Sequence, residues 1–466
     1  MDARVLEPHC ALMVIHGESQ NEMEEVMNAK KFSVILLAVL VSVSFAWAGG
    51  GAEQKPAAAD KPVKLTLWSG YPELQAWYEA RIKEFTAKNP NISIEIQTFA
   101  LADLDKKNGM AIPSNTAADI LELISVQSFP WAQKYFTEVP ADIQAIVKGA
   151  ANKEYLHDVL YGDKMMGVPF CFYSEVLYYN KDMLAEAGFK APPDTMDQLI
   201  EYATKMTKRD AQGVVERSGL SMRFAGNPSG TCEKFWALGL LPFGGDILME
   251  STASPGKFHN GFDNEAGYRA LNLYLDLIYK YKVTDFNIKQ DSDAFGQGKA
   301  AMLEREQWVV GTMKSTYPTL KYDAATMPKG TQRATFAITR NMFVPLAAKE
   351  KEAAWKFIKF FYEKPVMESM VRDTGWLSTR ADLDYPTLLK DSPQLLAGVN
   401  TPPDLKFVWQ KRLTVENAIM TKIGEEIPKL FRDQSLFGNE AKIREEIKKL
   451  GETTDAALKD AGLYAK

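Results

Sequence analysis

Val63–Thr98 reads VKLTLWSGYPELQAWYEARIKEFTAKNPNISIEIQT. Val63, Leu65 and Leu67 alternate with Lys64, Thr66 and Trp68, which is the period of a strand. Ser69-Gly70-Tyr71-Pro72 breaks that pattern. Over Leu74–Lys88 the residues Leu74, Trp77, Tyr78, Ile82 and Phe85 share one helical face. Asn89-Pro90-Asn91 ends the helix, and Ile92, Ile94 and Ile96 alternate again. Strand, helix and strand within about 35 residues form a βαβ unit, which implies a parallel sheet.

The pattern continues outward from this unit. Asp119–Ile124 reads as a strand and Phe129–Phe136 as a helix. Val176–Tyr179 is a further strand, followed by a short helix, Lys181–Ala187, stopped at Gly188. Pro192-Pro193-Asp194-Thr195 offers an N-cap for a helix over Met196–Lys208. Tyr268–Tyr281 is a strongly apolar helix, Phe336–Pro345 a strand and Glu350–Glu363 a helix. From Thr414 onward the chain is helical and charged. No period of 20–50 residues recurs, so solenoids and propellers are disfavoured. The fold class is α/β, with two open sheets.

The N-terminus reads differently. Lys30 and Lys31 precede Phe32–Phe45, which carries no charge, and Ala46-Trp47-Ala48 follows with small residues where a signal peptidase reads. This is the three-part pattern of a secretory signal, expected over residues 27–48. The apolar run is too short to span a membrane, which takes about 20 residues. Residues 1–26 fit no targeting pattern and are expected to be a mis-assigned N-terminal extension. Gly49 stands where a lipoprotein has Cys, so no lipid anchor is expected. Residues 49–62, small and Ala/Pro-rich, suit a flexible linker. Beyond the signal only Cys171 and Cys232 remain, and two free buried thiols are favoured over one bridge.

Composition narrows the function. The chain has 466 residues with 55 basic and 60 acidic side chains, a net charge of −5, so it lacks the basic excess of a nucleic-acid partner. Four His and three Cys leave little material for a dedicated metal site, and no metal or cofactor is expected. No G-x-S-x-G or H-E-x-x-H motif occurs. Gly296-Gln297-Gly298-Lys299 falls short of a P-loop: Asp293 stands where the first Gly belongs, and Ala300 replaces the Mg²⁺-holding hydroxyl residue. Glu304 and Glu306 are two apart, and on a helix they would point apart, which disfavours a glycosidase pair.

At Gly167–Leu184 the chain reads GVPFCFYSEVLYYNKDML, and Ala185–Gly188 supplies A-x-x-G. This segment resembles the extracellular solute-binding proteins of ABC importers, in the carbohydrate-binding family that includes maltose-binding protein. Further similar segments follow in family order: Lys64–Trp68, Phe85–Ile96, Asp119-Ile120-Leu121, Phe295–Trp308, Lys351–Phe361 and Thr374–Arg380. Two stretches depart from the family pattern: Glu304-Arg305-Glu306-Gln307 before Trp308, and Thr339-Arg340-Asn341.

The resemblance implies two α/β lobes joined by a multi-segment hinge, with a ligand buried between them on closure. It places lobe 1 at 63–170 plus 329–378 and lobe 2 at 171–328 plus 379–466. It implies a monomeric, exported protein that does no chemistry and delivers a small-molecule carbohydrate to membrane ABC permease subunits. Sugars need aromatic faces and planar polar groups. The implied ligand contacts are Trp68, Tyr71, Gln127, Phe172, Tyr173, Trp236, Glu304, Arg305, Trp308, Arg340 and Trp376. Were Arg305 and Arg340 both to face the cleft, an anionic sugar or phosphorylated polyol would suit their forks. A secreted carbohydrate-active enzyme is the alternative from another class.

Overall fold

The computed structural model describes residues 61–288 and 291–466. The readings of the extension, the signal and most of the linker fall on residues 1–60, outside the described residues. The βαβ unit forms as read. β1 (Val63–Ser69) pairs in parallel with β2 (Ile92–Thr98), and α1 (Gln75–Lys88) connects them. α1 buries Trp77, Tyr78, Ile82 and Phe85. The helix Lys351–Phe361 packs on it, with Phe361 stacked on Tyr78 at 5.4 Å and Phe357 edge-on to Phe85 at 5.2 Å. Each such ring contributes about 1.5–3 kcal/mol by leaving water.

β3 (Ile120–Ile124) lies beside β1, and β4 (Val168–Asn180) is long and has no exposed residue. α2 (Pro228–Lys234) is followed by β5 (Met302–Glu306), β6 (Tyr322–Thr326) and β7 (Arg333–Phe343). β8 (Leu377–Ser378), β9 (Leu405–Val408) and α3 (Glu416–Arg432) complete the framework. The sheet order is β5-β4-β7-β3-β1-β2, with β6 and β8 also on β4 and β9 on β7.

Two strands change partners along their length. β4 pairs through Val168–Ser174 with β7, and through Glu175–Asn180 with β5 and β6. β7 pairs through Arg340–Phe343 with β3, and through Arg333–Phe336 with β9. The two expected open sheets are therefore joined into one run of ladders. One core gathers Leu65, Tyr78, Phe85, Phe170 and Phe357; another gathers Trp236, Phe336, Ile419 and Ile447.

Local expectations held where a cap or stop was visible. Thr195 and Gln198 form a capping box on Met196–Met206, and Gly188 sits at φ +82 after Lys181–Glu186. Three readings need correction. Val176–Tyr179 is the end of a strand that begins at Val168, because both faces are covered and no alternation marks its start. Phe129–Phe136 yields one turn, Ala132–Tyr135, because Pro130 cannot donate within a longer helix. The apolar helix over Tyr268–Tyr281 is α-helical across Glu265–Leu275 and then widens to a π-helical turn at Asp276–Lys280. Cys171 and Cys232 are free and buried. No helix among the described residues is long and apolar enough to cross a membrane.

Candidate functional site

A cavity of about 490 Å³ opens between the lobes. One wall comes from the turn after β1 (Gly70–Glu73), Leu101, Asp105, Gln127, Arg340 and Trp376. The other comes from Tyr173, the start of α2, the end of β5, Trp308 and the start of α3.

Local sequence explains several of these placements. Gly375 takes φ +74 as the cap of Lys364–Thr374, a left-handed residue that ends the helix and turns Trp376 toward the cleft. Asn227-Pro228 starts α2, with Pro in the first turn where its missing N–H costs nothing. That start brings Asn227, Ser229 and Gly230 to the cavity. α3 can approach α2 because residue 424 is Gly; a Cβ there would lie 1.8 Å from the Pro228 carbonyl oxygen. The close approach sets Asn417 and Met420 on the wall. In β7 the register shifts between Arg340 and Asn341, a bulge of the kind that re-aims a side chain.

Of the residues expected at the site, Tyr71, Gln127, Tyr173, Arg305, Trp308, Arg340 and Trp376 line the cavity together. Trp68, Phe172, Trp236 and Glu304 do not. Trp68 is buried on β1 beneath Phe99 and Lys107. Phe172 stacks on Tyr155 at 4.2 Å, and Trp236 on Phe336 at 5.3 Å, both as core packing. Glu304 points into a buried charged cluster.

That cluster also corrects the helix assumed for Glu304-Arg305-Glu306. The segment is β5, so residues two apart share a face. Glu304 and Glu306 both reach the Lys234 ammonium, at 3.8 and 2.9 Å, and Lys234 also donates to Glu175. Burial alone would lower Lys234, but the three carboxylates hold it above its ordinary value. Burial and the neighbouring Glu306 push Glu175 well up. Burial also raises Glu306, but Arg305 and Lys234 outweigh it and hold that carboxyl below its usual range. Arg305 is paired by charge: Nε lies 2.9 Å from Asp291, Nη1 donates to Glu306 at 2.7 Å, and the guanidinium sits 4.9 Å from the Trp308 ring centre.

Arg340 is held quite differently. It is 3% exposed, and its guanidinium lies 3.2 Å from the Tyr71 ring centre, 4.4 Å from Trp376 and 5.3 Å from Tyr173. Its nearest carboxylate is Glu122, 4.0 Å from Nη1. Glu122 accepts instead from Ser69 at 2.5 Å and Tyr78 at 2.9 Å, and burial pushes its carboxyl up to about 7. Gln127 is occupied at both ends, accepting from the Ile124 N–H and donating to Asp105.

The sequence reading missed Asp105, Arg223, Asn227, Ser229, Glu233 and Glu306 on the cavity wall. The helix-start signature Asn227-Pro228 was the one available signal for two of them. Burial raises Asp105 to about 6 and Glu233 to about 7. Among the described residues no cluster of His, Cys, Asp and Glu could hold a metal ion.

Residues 69–368 match the model of a family described as Bacterial extracellular solute-binding protein. A putative binding protein of Brucella abortus (strain 2308) is 24% identical over 377 residues, 78% of this chain and 88% of that protein. The lactose-binding protein of Rhizobium radiobacter is 24% identical over 322 residues, 65% of this chain and 71% of its own. A solved ABC transporter solute-binding protein of Thermotoga lettingae TMO, bound with α-D-tagatose, has a TM-score of 0.71. It is 22% identical and covers 85% of this chain and 100% of that one.

Proposed function

We propose, for a chain that belongs to the bacterial extracellular solute-binding protein family, that the interlobe cavity captures a carbohydrate and that the loaded protein delivers it to an ABC permease. The observation that carries this reading is the cavity's make-up. Aromatic rings and planar polar side chains from both lobes face one space of about 490 Å³. A pyranose needs both kinds of group, and closure around it buries its apolar faces. A relative named for lactose and a similar solved protein bound with tagatose agree with a sugar cargo.

The protein binds and releases without chemistry. Glu304 lies off the cavity, and Glu306 is ion-paired with Arg305 and Lys234, so β5 supplies no carboxylate pair poised for glycoside cleavage. Residues 27–48 direct export, and the mature chain acts as a free monomer. Lobe 1 spans 63–170 and 329–378, and lobe 2 spans 171–328 and 379–466, with β4 crossing between them at 170–171.

Thermal unfolding against mono- and oligosaccharides, sugar acids and glycerol phosphates tests the proposal. A ligand at 100 times its dissociation constant adds about 2.7 kcal/mol. A raised midpoint with a sugar recovered unchanged is the expected result. No shift with any member would overturn the carbohydrate assignment.

A further inference from the structure

We propose that the carbohydrate taken by this cleft is anionic, and that its carboxylate or phosphoryl group docks on Arg340. The inference rests on the carbohydrate reading above and names the ligand class within it.

Three observations carry it. First, Arg340 is a buried cation whose one carboxylate, Glu122, stands at the limit of an ion pair, 4.0 Å away. Nε and Nη1 are buried and find no hydrogen-bond acceptor among the described residues. On the same strand Arg333 also leaves Nε without a hydrogen-bond acceptor, but two carboxylates, Asp194 at 2.6 Å and Asp404 at 3.3 Å, meet its charge, and Thr335 and Thr339 donate to the Glu175 carbonyl and to Asp158. Leaving charged donors buried and unmet is costly, so an acceptor from outside has much to gain there. Glu122 backs the guanidinium from the core side, but at 4.0 Å and with its other oxygen held by Ser69 and Tyr78. Arg340 itself lines the cavity, so a small adjustment of the guanidinium on ligand binding would offer its donors to an anion there.

Second, the ring faces against Arg340 are already covered. Tyr71 and Trp376 meet edge to face at 5.0 Å, and the guanidinium lies against both. Those faces cannot at the same time stack on a neutral pyranose. The rings instead hold the planar fork in place, which lowers the ordering cost when an anion arrives. Third, the bulge between Arg340 and Asn341 falls at this residue, in a strand otherwise committed to the core.

The cavity's carboxylates do not cancel this. Glu306 is held by Arg305 and Lys234, and Asp105 by Gln127. Glu73 and Glu233 are both raised by burial, which disfavours their charged forms. Beside Arg305, Arg223 is a further cation on the wall, 4.0 Å from Asp291.

The test is calorimetric titration of the exported protein with matched pairs. Glucuronate is set against glucose, galacturonate against galactose, digalacturonate against its neutral disaccharide, and glucose 6-phosphate against glucose. The acidic member of at least one pair is expected to bind ten-fold or more tightly than its neutral partner, and more weakly as salt rises. Uronate or phosphate winning identifies which anion is read. Arg340→Gln should erase the acid-to-neutral ratio, and Arg340→Lys should keep part of it. That ratio would not move if Arg340 merely packed the wall. Should the Gln variant unfold, the Lys variant and the wild-type ratio still decide. Equal binding within every pair, or preference for the neutral members, overturns the inference and leaves the carbohydrate reading standing. Binding of no member overturns both.

Discussion

Arg305 and Arg340 line one cleft from opposite lobes, yet their surroundings differ in kind. Arg305 sits in a charge network with Asp291, Glu306 and, through Glu306, Lys234. Arg340 has rings on its faces and a carboxylate 4.0 Å away. A buried cation surrounded by carboxylates is part of the scaffold, because removing it strands charges. A buried cation left short of acceptors is a place for something else. On the proposed reading Arg305 holds the shape of its wall, and Arg340 is the cation left for a ligand.

The largest test of that contrast is Lys234→Met. It removes the cation shared by Glu175, Glu304 and Glu306 and should cost about 3–5 kcal/mol of stability at neutral pH. Urea unfolding measures it, and a loss under about 1 kcal/mol would erase the scaffold role. Trp308→Ala comes next. It exposes the Arg305 face and removes a ring from the cavity, so ligand affinity should fall roughly 10- to 100-fold, about 1.4–2.8 kcal/mol. Titration reads it, and unchanged affinity would take Trp308 out of the site.

The third test concerns pH. Burial raises Glu122, Glu233, Glu304 and Glu416 each to about 7, against an ordinary value of 4.5. The folded chain then binds more protons than the unfolded one across that interval. Their contribution is fully present below about pH 4.5 and is lost as pH rises through 7. Glu306 runs the other way, since its lowered carboxyl stabilises above pH 4.5 and loses that on acidification. Glu122→Gln should flatten the decline between pH 5 and 7 by up to about 1.4 kcal/mol per pH unit. An unchanged slope would show Glu122 charged and already paired with Arg340. The smallest effect belongs to Trp68→Phe. Trp68 lies off the cavity under Lys107 and Phe99, so affinity should stay within about two-fold, roughly 0.4 kcal/mol.

Much of the fold was legible because local signals agreed with the tertiary answer. The β1–α1–β2 unit, the Thr195 cap and the Gly188 stop were each written in a few adjacent residues. β4 was half-read because a strand buried on both faces carries no alternation. The site was less legible. Ring type alone does not separate Trp308 and Trp376, which face the cleft, from Trp68 and Trp236, which pack the core. A turn at Gly375 and a bulge at Arg340 decide such questions, and only the first has a sequence mark. Reading β5 as a helix hid the shared face of Glu304 and Glu306. Asn417 and Met420 reach the wall through the α2–α3 packing, which depends on Gly424 and Pro228, nearly 200 residues apart in the chain.

The central claim is that the interlobe cavity captures a carbohydrate and returns it intact. Calorimetric titration of the purified chain with neutral and acidic mono- and oligosaccharides, followed by mass analysis of the recovered ligand, tests it most directly. The account predicts saturable binding of one ligand per chain, weakened by Trp308→Ala, with the ligand unchanged in mass. Absence of binding across the panel, or recovery of a cleaved sugar, would contradict it.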